Sequence, residues 1–217
     1  MRQHHLEVTR TARYATLGEV DRATSVWFVI HGHGQLASLF LRHFEQIDDG
    51  TRYIVAPEAL NRFYAEPTSW KGAGQARVGA TWMTREDREA EMRDYVRYLD
   101  QLLAHVRSSM GGRDAPLTVL GFSQGVATAA RWVCRGRARA QKVILWAGPL
   151  PPELDAESAR PLREADLYRV IGEQDDMAAP EAVAAEQERE RLLGLSPRHV
   201  RFVGGHKLDA AVLSSLA

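Results

Sequence analysis

The sequence has 217 residues, with 28 basic and 28 acidic side chains and therefore a formal net charge of zero. This balance excludes the strongly basic composition of proteins whose main partner is nucleic acid or an anionic membrane surface. The length is sufficient for one domain to bury a substantial core without disulfides or metals. We therefore expect a single domain over residues 1–217.

Cys134 is the only cysteine, so no intrachain disulfide can form and nothing indicates an oxidising compartment. It lies on the apolar face of a predicted helix, and we interpret it as a core residue. The first ten residues lack the apolar core of a signal peptide, and no apolar run is long enough to span a bilayer. We expect a cytoplasmic protein without stable membrane insertion.

The first elements in the chain are predicted to be strands and one helix. Residues 6–11 and 12–18 have mixed polarity, which predicts two strands at an antiparallel edge. Ser25–Ile30 is almost continuously apolar, which is typical of a central strand covered on both faces. A helix over 36–47 and a buried strand over 53–56 follow.

Strands and helices alternate through the rest of the chain. The predicted helices are 85–106, 126–134, 180–193 and 208–216, and the predicted strands are 117–120, 142–147, 167–171 and 198–203. This alternation predicts an α/β fold with a mostly parallel central sheet and helices on both faces. The connection 148–166 is too short for a separate lid domain.

The long segment 58–86 has no clear periodicity and contains four aromatic candidates for a substrate pocket: Phe63, Tyr64, Trp70 and Trp82. A segment of this length in a small domain is usually functional or mobile. Two interpretations remain open. The aromatic side chains either pin the segment onto the sheet or line an apolar pocket for an acyl or alcohol group.

The segment 121–125, Gly-Phe-Ser-Gln-Gly, lies between a predicted strand and a predicted helix, as a G-x-S-x-G nucleophile elbow does. The turn is so sharp that Ser123 is predicted to be strained, and side chains at 121 and 125 would collide with neighbouring backbone. Glycine at Gly121 and Gly125 removes that collision. The amide of Gln124 is then directed to where an oxyanion would form.

The strand Ser25–Ile30 leads into His31-Gly-His-Gly-Gln35. The backbone amide of His33 is predicted to be the second oxyanion donor, because such a donor comes from the loop before the first helix. We interpret His31 as a buried, hydrogen-bonded histidine that ties the loop to its neighbours. A metal site is disfavoured because no cluster of Cys, Asp or Glu nearby completes one.

A serine nucleophile needs a base and a third group that orients the base. His206 is the candidate base, because it follows two glycines at the end of a predicted strand. Asp175 and Asp176 are the candidate acids at the end of another strand. We favour Asp175, which lies three residues after Gly172.

Four segments, 31–34, 121–125, 172–175 and 204–206, resemble the α/β-hydrolase superfamily, and most closely its phospholipase/carboxylesterase family, which includes bacterial carboxylesterases and acyl-protein thioesterases. Serine, acid and histidine also come in the order that this fold uses. The resemblance implies Ser123, Asp175 and His206 as the triad and the amides of His33 and Gln124 as the oxyanion hole.

The resemblance further implies hydrolysis of carboxylic esters, sometimes thioesters or lysophospholipids, without a cofactor. The expected partner is a small-molecule ester, and the expected state is a monomer or homodimer. A common family form, Asp-x-x-x-Pro, counted back from Pro180, selects Asp176, so both acids remain candidates. A peptidase, lactone hydrolase or acyltransferase on the same triad and a non-catalytic binding module are the alternative functions.

Overall fold

The computed structural model describes residues 1–66 and 76–217, and these form nine strands and seven helices. The strands are β1 (Tyr14–Leu17), β2 (Ser25–Ile30), β3 (Arg52–Pro57), β4 (Asn61–Tyr64), β5 (Val78–Thr81), β6 (Leu117–Phe122), β7 (Lys142–Trp146), β8 (Asp166–Gly172) and β9 (Arg198–Phe202). The helices are α1 (Ala37–Leu41), a 3-10 helix (Arg42–Ile47), α2 (Arg88–Ser109), α3 (Gln124–Arg135), α4 (Arg160–Glu164), α5 (Pro180–Leu192) and α6 (Ala210–Leu216).

The central sheet of the described chain contains seven strands in the order β1-β3-β2-β6-β7-β8-β9. Every neighbouring pair is parallel except β1 with β3, which is antiparallel. The predicted mostly parallel sheet and its antiparallel edge are confirmed. The carboxyl ends of the parallel strands share one edge, where ligands of open α/β sheets bind.

Alternate residues of β2 pack into two different cores. Val26, Phe28 and Ile30 lie in the core with residues of α2 and α3, on one face of the sheet. Trp27 and Val29 lie in the core with residues of α1 and α6, on the other face. Because successive side chains of a strand point to opposite faces, only a continuously apolar strand satisfies both cores. The predictions of a central strand here and of helices on both faces are confirmed.

The prediction of a strand over residues 6–11 is wrong. Leu6 and Val8 are 87% and 76% exposed, so the apolar side chains of this segment have no core to pack against. The segment is held at the surface by polar contacts. Glu7 forms an ion pair with Arg97 of α2 at 2.9 Å, and His5 contacts Asp87 at the same distance.

The segment 58–86 is not irregular throughout, because β4 and β5 form an antiparallel pair outside the central sheet. Each strand has only four residues, too few for a period to be recognised in the sequence. Gly79 lets β5 lie against the loop after β2, since a Cβ at this position would be 2.6 Å from the carbonyl oxygen of Gly34.

Two predicted helices differ from the observed ones in helix type or by more than two residues at an end. The predicted helix 36–47 is divided into α1 and the 3-10 helix, and the long helix begins at Arg88 rather than at residue 85. Within residues 1–66 and 76–217, none of the helices combines the length and the apolar character that crossing a bilayer requires.

Candidate active site

Ser123 lies at the turn between β6 and α3 with φ 54° and ψ −120°, a backbone conformation that few residues other than glycine adopt. Such a conformation costs about 1–3 kcal/mol and persists only where the surrounding structure enforces it. The amide of Ser123 donates to the carbonyl of Trp146 at 2.9 Å, and its carbonyl accepts from the amide of Val126 at 3.0 Å. β7 and α3 therefore hold the strained turn from two sides.

The two glycines of the elbow are required by close backbone contacts. A Cβ at Gly121 would lie 2.3 Å from the carbonyl oxygen of Gly125, and a Cβ at Gly125 would lie 2.2 Å from that of Ile30. Real Cβ atoms essentially never show such distances. The predicted collisions are confirmed, and they arise because α3 begins directly over the ends of β6 and β2.

His206 and Asp175 are joined by a hydrogen bond of 2.9 Å between Nδ1 and Oδ2. The side chain of Asp175 is 1% exposed and that of His206 is 21% exposed. The other carboxylate oxygen, Oδ1 of Asp175, accepts from the amide of Met177 at 2.9 Å. Asp176 is exposed to solvent. The structure therefore brings Asp175, and not Asp176, to His206.

The loops that carry these two residues are in direct backbone contact. The amide of Gln174 donates to the carbonyl of Gly204 at 2.9 Å. A Cβ at Gly172 would lie 2.3 Å from the same carbonyl oxygen. Glycine at position 172 therefore allows the end of β8 to approach the end of β9 closely enough for the two side chains to meet.

The ring of His206 packs against the ring of Phe122, with the centroids 5.1 Å apart, and Phe122 directly precedes Ser123. A histidine whose Nδ1 donates to a carboxylate keeps Nε2 as an acceptor. The hydroxyl of Ser123 forms no hydrogen bond with any described residue. Bonds between a catalytic serine and its base are often long before substrate binds. The ring of His206 thus lies beside the elbow, and its Nε2 forms no hydrogen bond with the residues that the structure describes.

The backbone amides of Gln124 and His33 belong to residues that directly follow Ser123 and Gly32, and Gly32 lies against Ser123. Gln124 follows it in the chain, and the His33 loop is in contact with it, because a Cβ at Gly32 would be 3.1 Å from Cβ of Ser123. Neither amide donates to an acceptor within residues 1–66 or 76–217. Two amides with this placement are suited to stabilise the oxyanion that forms on a carbonyl oxygen when a nucleophile at position 123 attacks the carbonyl carbon.

His31 fixes the orientation of the loop that carries His33. Its buried ring donates from Nδ1 to the carbonyl of Gly32 at 2.7 Å and accepts at Nε2 from the amide of Ala59 at 3.1 Å. Burial lowers the pKa of His31 to about 4, so the ring is neutral at neutral pH. The Gly32 carbonyl and the His33 amide belong to one planar peptide, so holding the carbonyl also sets the direction of the amide. The interpretation of His31 as a buried, hydrogen-bonded histidine is confirmed.

β5 and the side chain of Gln35 hold the same loop from the other side. The amide of Gly34 donates to the carbonyl of Ala80 at 2.8 Å, and the amide of Ala80 donates to the carbonyl of Gln35 at 3.2 Å. Oε1 of Gln35 accepts from the amide of Gly32 at 2.7 Å. Sequence analysis missed these contacts, because no local pattern links β5 to a loop so far away in the chain.

Trp82 is buried in the core, and its Nε1 donates to the carbonyl of His31 at 2.9 Å. Its ring also packs on the ring of His31, with the centroids 5.2 Å apart. It therefore pins the segment after β5 onto the loop after β2, as the first of the two interpretations predicted. Trp70 lies outside the described residues.

Phe63 and Tyr64, at the end of β4, are closer to solvent. The ring of Phe63 stacks on the ring of His33, with the centroids 5.1 Å apart, and Tyr64 is about half exposed. Neither lines the open groove of about 500 Å³ between the 3-10 helix and the start of α6, whose walls are formed by Arg42, His43, Glu45, Gln46, Leu208 and Ala210. Phe63 is therefore in contact with the side chain of His33, whose backbone amide is a predicted oxyanion donor.

Neither the Cys134 thiol nor a metal site adds a reactive group to the described part of the chain. Burial raises the pKa of the Cys134 thiol to about 12, so the thiol stays protonated and unreactive at neutral pH. Among residues 1–66 and 76–217, no group of three or more His, Cys, Asp or Glu side chains is arranged to hold a metal ion.

The order of the sheet, together with a strained serine between a central strand and the following helix, is typical of an α/β hydrolase. Solved structures of such proteins are similar over nearly the whole chain. The crystal structure of esterase PE8 has 20% sequence identity and a TM-score of 0.66, with coverage of 95% of this chain and 96% of the esterase.

Two further solved structures are similar to the same extent. Acyl-protein thioesterase 2 from Zea mays has 18% identity and a TM-score of 0.69, covering 95% of this chain and 96% of the thioesterase. A carboxylesterase from Mesorhizobium loti has 16% identity and a TM-score of 0.68, covering 94% and 93%. Neither the protein-family models nor the curated proteins include a match to this sequence. The chain has the α/β-hydrolase fold.

Proposed function

We propose that the protein is a serine hydrolase that cleaves carboxylic esters through an acyl-enzyme and uses no cofactor. The observation that carries this proposal is the bond of 2.9 Å between His206 and the buried carboxylate of Asp175, formed beside the strained elbow of Ser123. These three side chains are the nucleophile, the base and the orienting acid that acyl transfer by a serine requires.

In the proposed mechanism, Nε2 of His206 takes the proton of the Ser123 hydroxyl as its oxygen attacks the ester carbonyl. His206 then gives the proton to the leaving alcohol, and the acyl group remains on Ser123. For deacylation, His206 takes a proton from a water molecule that attacks the acyl-enzyme. Asp175 keeps the proton on Nδ1 throughout, because its buried carboxylate accepts from that nitrogen.

The proposed oxyanion hole consists of the amides of His33 and Gln124. Both amides flank the nucleophile, and their support by His31 and by α3 fixes their directions before substrate arrives. Donors that are oriented in advance need no rearrangement as charge develops on the carbonyl oxygen. Each is expected to contribute on the order of 10²-fold to 10³-fold to the rate.

The similar structures support acyl transfer and leave several ester classes open. They carry the names esterase, carboxylesterase and acyl-protein thioesterase. We propose a carboxylesterase of the phospholipase/carboxylesterase family, with thioester or lysophospholipid hydrolysis as the second candidate. Thioester hydrolysis is favoured by the similarity to the thioesterase. Assays of p-nitrophenyl esters of increasing acyl length against acyl thioesters separate the two.

The test of the proposal is turnover of p-nitrophenyl butyrate by the wild type and by Ser123→Ala. We expect turnover by the wild type and none by the variant, with both proteins folded. Ser108→Ala, an exposed serine on α2, is the matched control and should have the activity of the wild type. A fluorophosphonate probe should label the wild type and the control but not Ser123→Ala. Ester hydrolysis that persists in Ser123→Ala would refute the assignment, and a folded wild type that neither reacts with the probe nor hydrolyses esters would favour a binding module.

A further inference from the structure

The carboxamide of Gln124 has no role in the proposed chemistry, which uses only the backbone amide of this residue. The side chain nevertheless forms hydrogen bonds with the last residue of β5 and with the two residues after it. Its Oε1 accepts from the amide of Trp82 at 3.1 Å. Its Nε2 donates to the carbonyl of Met83 at 2.8 Å and to the hydroxyl of Thr81 at 3.0 Å.

Residues 80–83 also hold the loop of the other oxyanion donor. Ala80 exchanges backbone hydrogen bonds with Gly34 and Gln35, on the carboxyl side of His33. Trp82 donates from its indole to the carbonyl of His31, on the amino side of His33. The four residues 80–83 therefore contact both halves of the oxyanion hole, and the carboxamide of Gln124 is their link to the start of α3.

We infer that the side chain of Gln124 is a positioning residue, which sets the spacing between the amide of His33 and its own backbone amide. This inference rests on the proposed function, since it concerns the same oxyanion hole. A donor stabilises an oxyanion only when it lies about 2.7–3.1 Å from the position that the charged oxygen will occupy. A displacement of the His33 loop relative to α3 therefore removes one of the two donors.

The chemistry of the contacts selects an amide at this position. The carboxamide offers an acceptor for the Trp82 amide and a donor for the Met83 carbonyl at the same time. An ionised glutamate keeps the acceptor and lacks the donor, and leucine lacks both. The three side chains are similar in size, so they form a graded series in hydrogen bonding with little change in volume.

The experiment compares the wild type with Gln124→Glu and Gln124→Leu, with Gln101→Leu, an exposed glutamine of α2, as the matched control. Turnover of p-nitrophenyl butyrate gives kcat and KM. Inhibition by an alkyl trifluoromethyl ketone, which forms a tetrahedral adduct with a catalytic serine, reports on the oxyanion hole. We expect kcat to fall roughly 10-fold to 10²-fold in Gln124→Leu and less in Gln124→Glu, since a displaced donor should cost less than the roughly 10²-fold to 10³-fold that follows removal of a donor.

Two readouts separate positioning from a general structural role. The KM should change by no more than about threefold, and the inhibition constant of the ketone should rise by the same factor as kcat/KM falls, because only interactions made in the transition state are lost. Circular dichroism and thermal unfolding establish that each variant is folded. If Gln124→Leu does not fold, Thr81→Val removes one acceptor of Nε2 and should give the same pattern at a smaller scale.

A folded Gln124→Leu with the kcat of the wild type would overturn the inference. So would a loss confined to KM, or a fall in kcat without weaker inhibition by the ketone. Failure of the proposed function gives a different result, since the wild type itself would then show no ester turnover that depends on Ser123.

Discussion

The replacement of Asp175 by asparagine tests the site most directly, because the structure shows what each atom of the carboxylate does. Oδ2 accepts from His206 Nδ1, and Oδ1 accepts from the amide of Met177, both at 2.9 Å. A carboxamide has a single acceptor oxygen and cannot serve both donors. If that oxygen accepts from Met177, the NH₂ group faces Nδ1, and His206 must become the tautomer whose Nε2 carries the proton.

The imidazole with its proton on Nε2 cannot accept the proton of Ser123. The same substitution in a serine protease triad lowers kcat about 10⁴-fold by this route. Here the side chain of Asp175 is only 1% exposed, so bulk water has little access to the position from which the carboxylate accepts the Nδ1 proton. We therefore expect Asp175→Asn to lower kcat by about 10³-fold to 10⁴-fold, which corresponds to about 4–5 kcal/mol of transition-state stabilisation.

Asp176→Asn is the matched control, because its exposed carboxylate lies at the neighbouring position. We expect this variant to keep kcat within about twofold of the wild type, as is usual for exposed side chains away from the reacting groups. Steady-state hydrolysis of p-nitrophenyl butyrate at neutral pH measures both. A larger loss in Asp176→Asn, or more than a tenth of the wild-type kcat in Asp175→Asn, would refute the geometric argument.

Two further predictions concern the folded state. Gly121→Ala should lower the free energy of unfolding by about 4 kcal/mol or more, because its Cβ would meet the Gly125 carbonyl oxygen at 2.3 Å. Gly111 has a φ of 68° and open space around it, so Gly111→Ala should lower the free energy of unfolding by only about 1–2 kcal/mol. Urea unfolding measures both variants, and an equal loss of stability in the two would contradict the steric explanation. Burial lowers the pKa of His31 to about 4 from 6.5, so between these values the unfolded chain binds a proton that the folded chain does not. The free energy of unfolding should therefore decrease as the pH falls from about 6.5 to 4. The part of this decrease that His31 causes should be missing in His31→Gln. The same pH dependence of unfolding in both proteins would show that His31 is not buried in its neutral form.

Much of the scaffold was predictable because its signals are local. The continuous apolar run of β2 predicts burial on two faces, and the two glycines around Ser123 predict the sharp turn. Both follow from sterics and side-chain periodicity within a few residues. The prediction of a strand over residues 6–11 was wrong because it also used only the local pattern. That pattern is compatible with a strand, but Leu6 and Val8 are exposed and have no core to pack against.

The amino-acid sequence alone determined the class of fold and the residue types that meet at the carboxyl edge of the sheet, because each strand end carries its own recognisable turn. Only the tertiary structure decided which of two adjacent aspartates reaches His206, that β5 supports the loop of His33, and that the Gln124 carboxamide joins that support to α3. In the sequence, the spacing from Gly172 selects Asp175 and the spacing to Pro180 selects Asp176, so local patterns do not decide between the two side chains, which point in different directions. Those directions are set by contacts between loops that are distant in the chain, which local patterns do not contain.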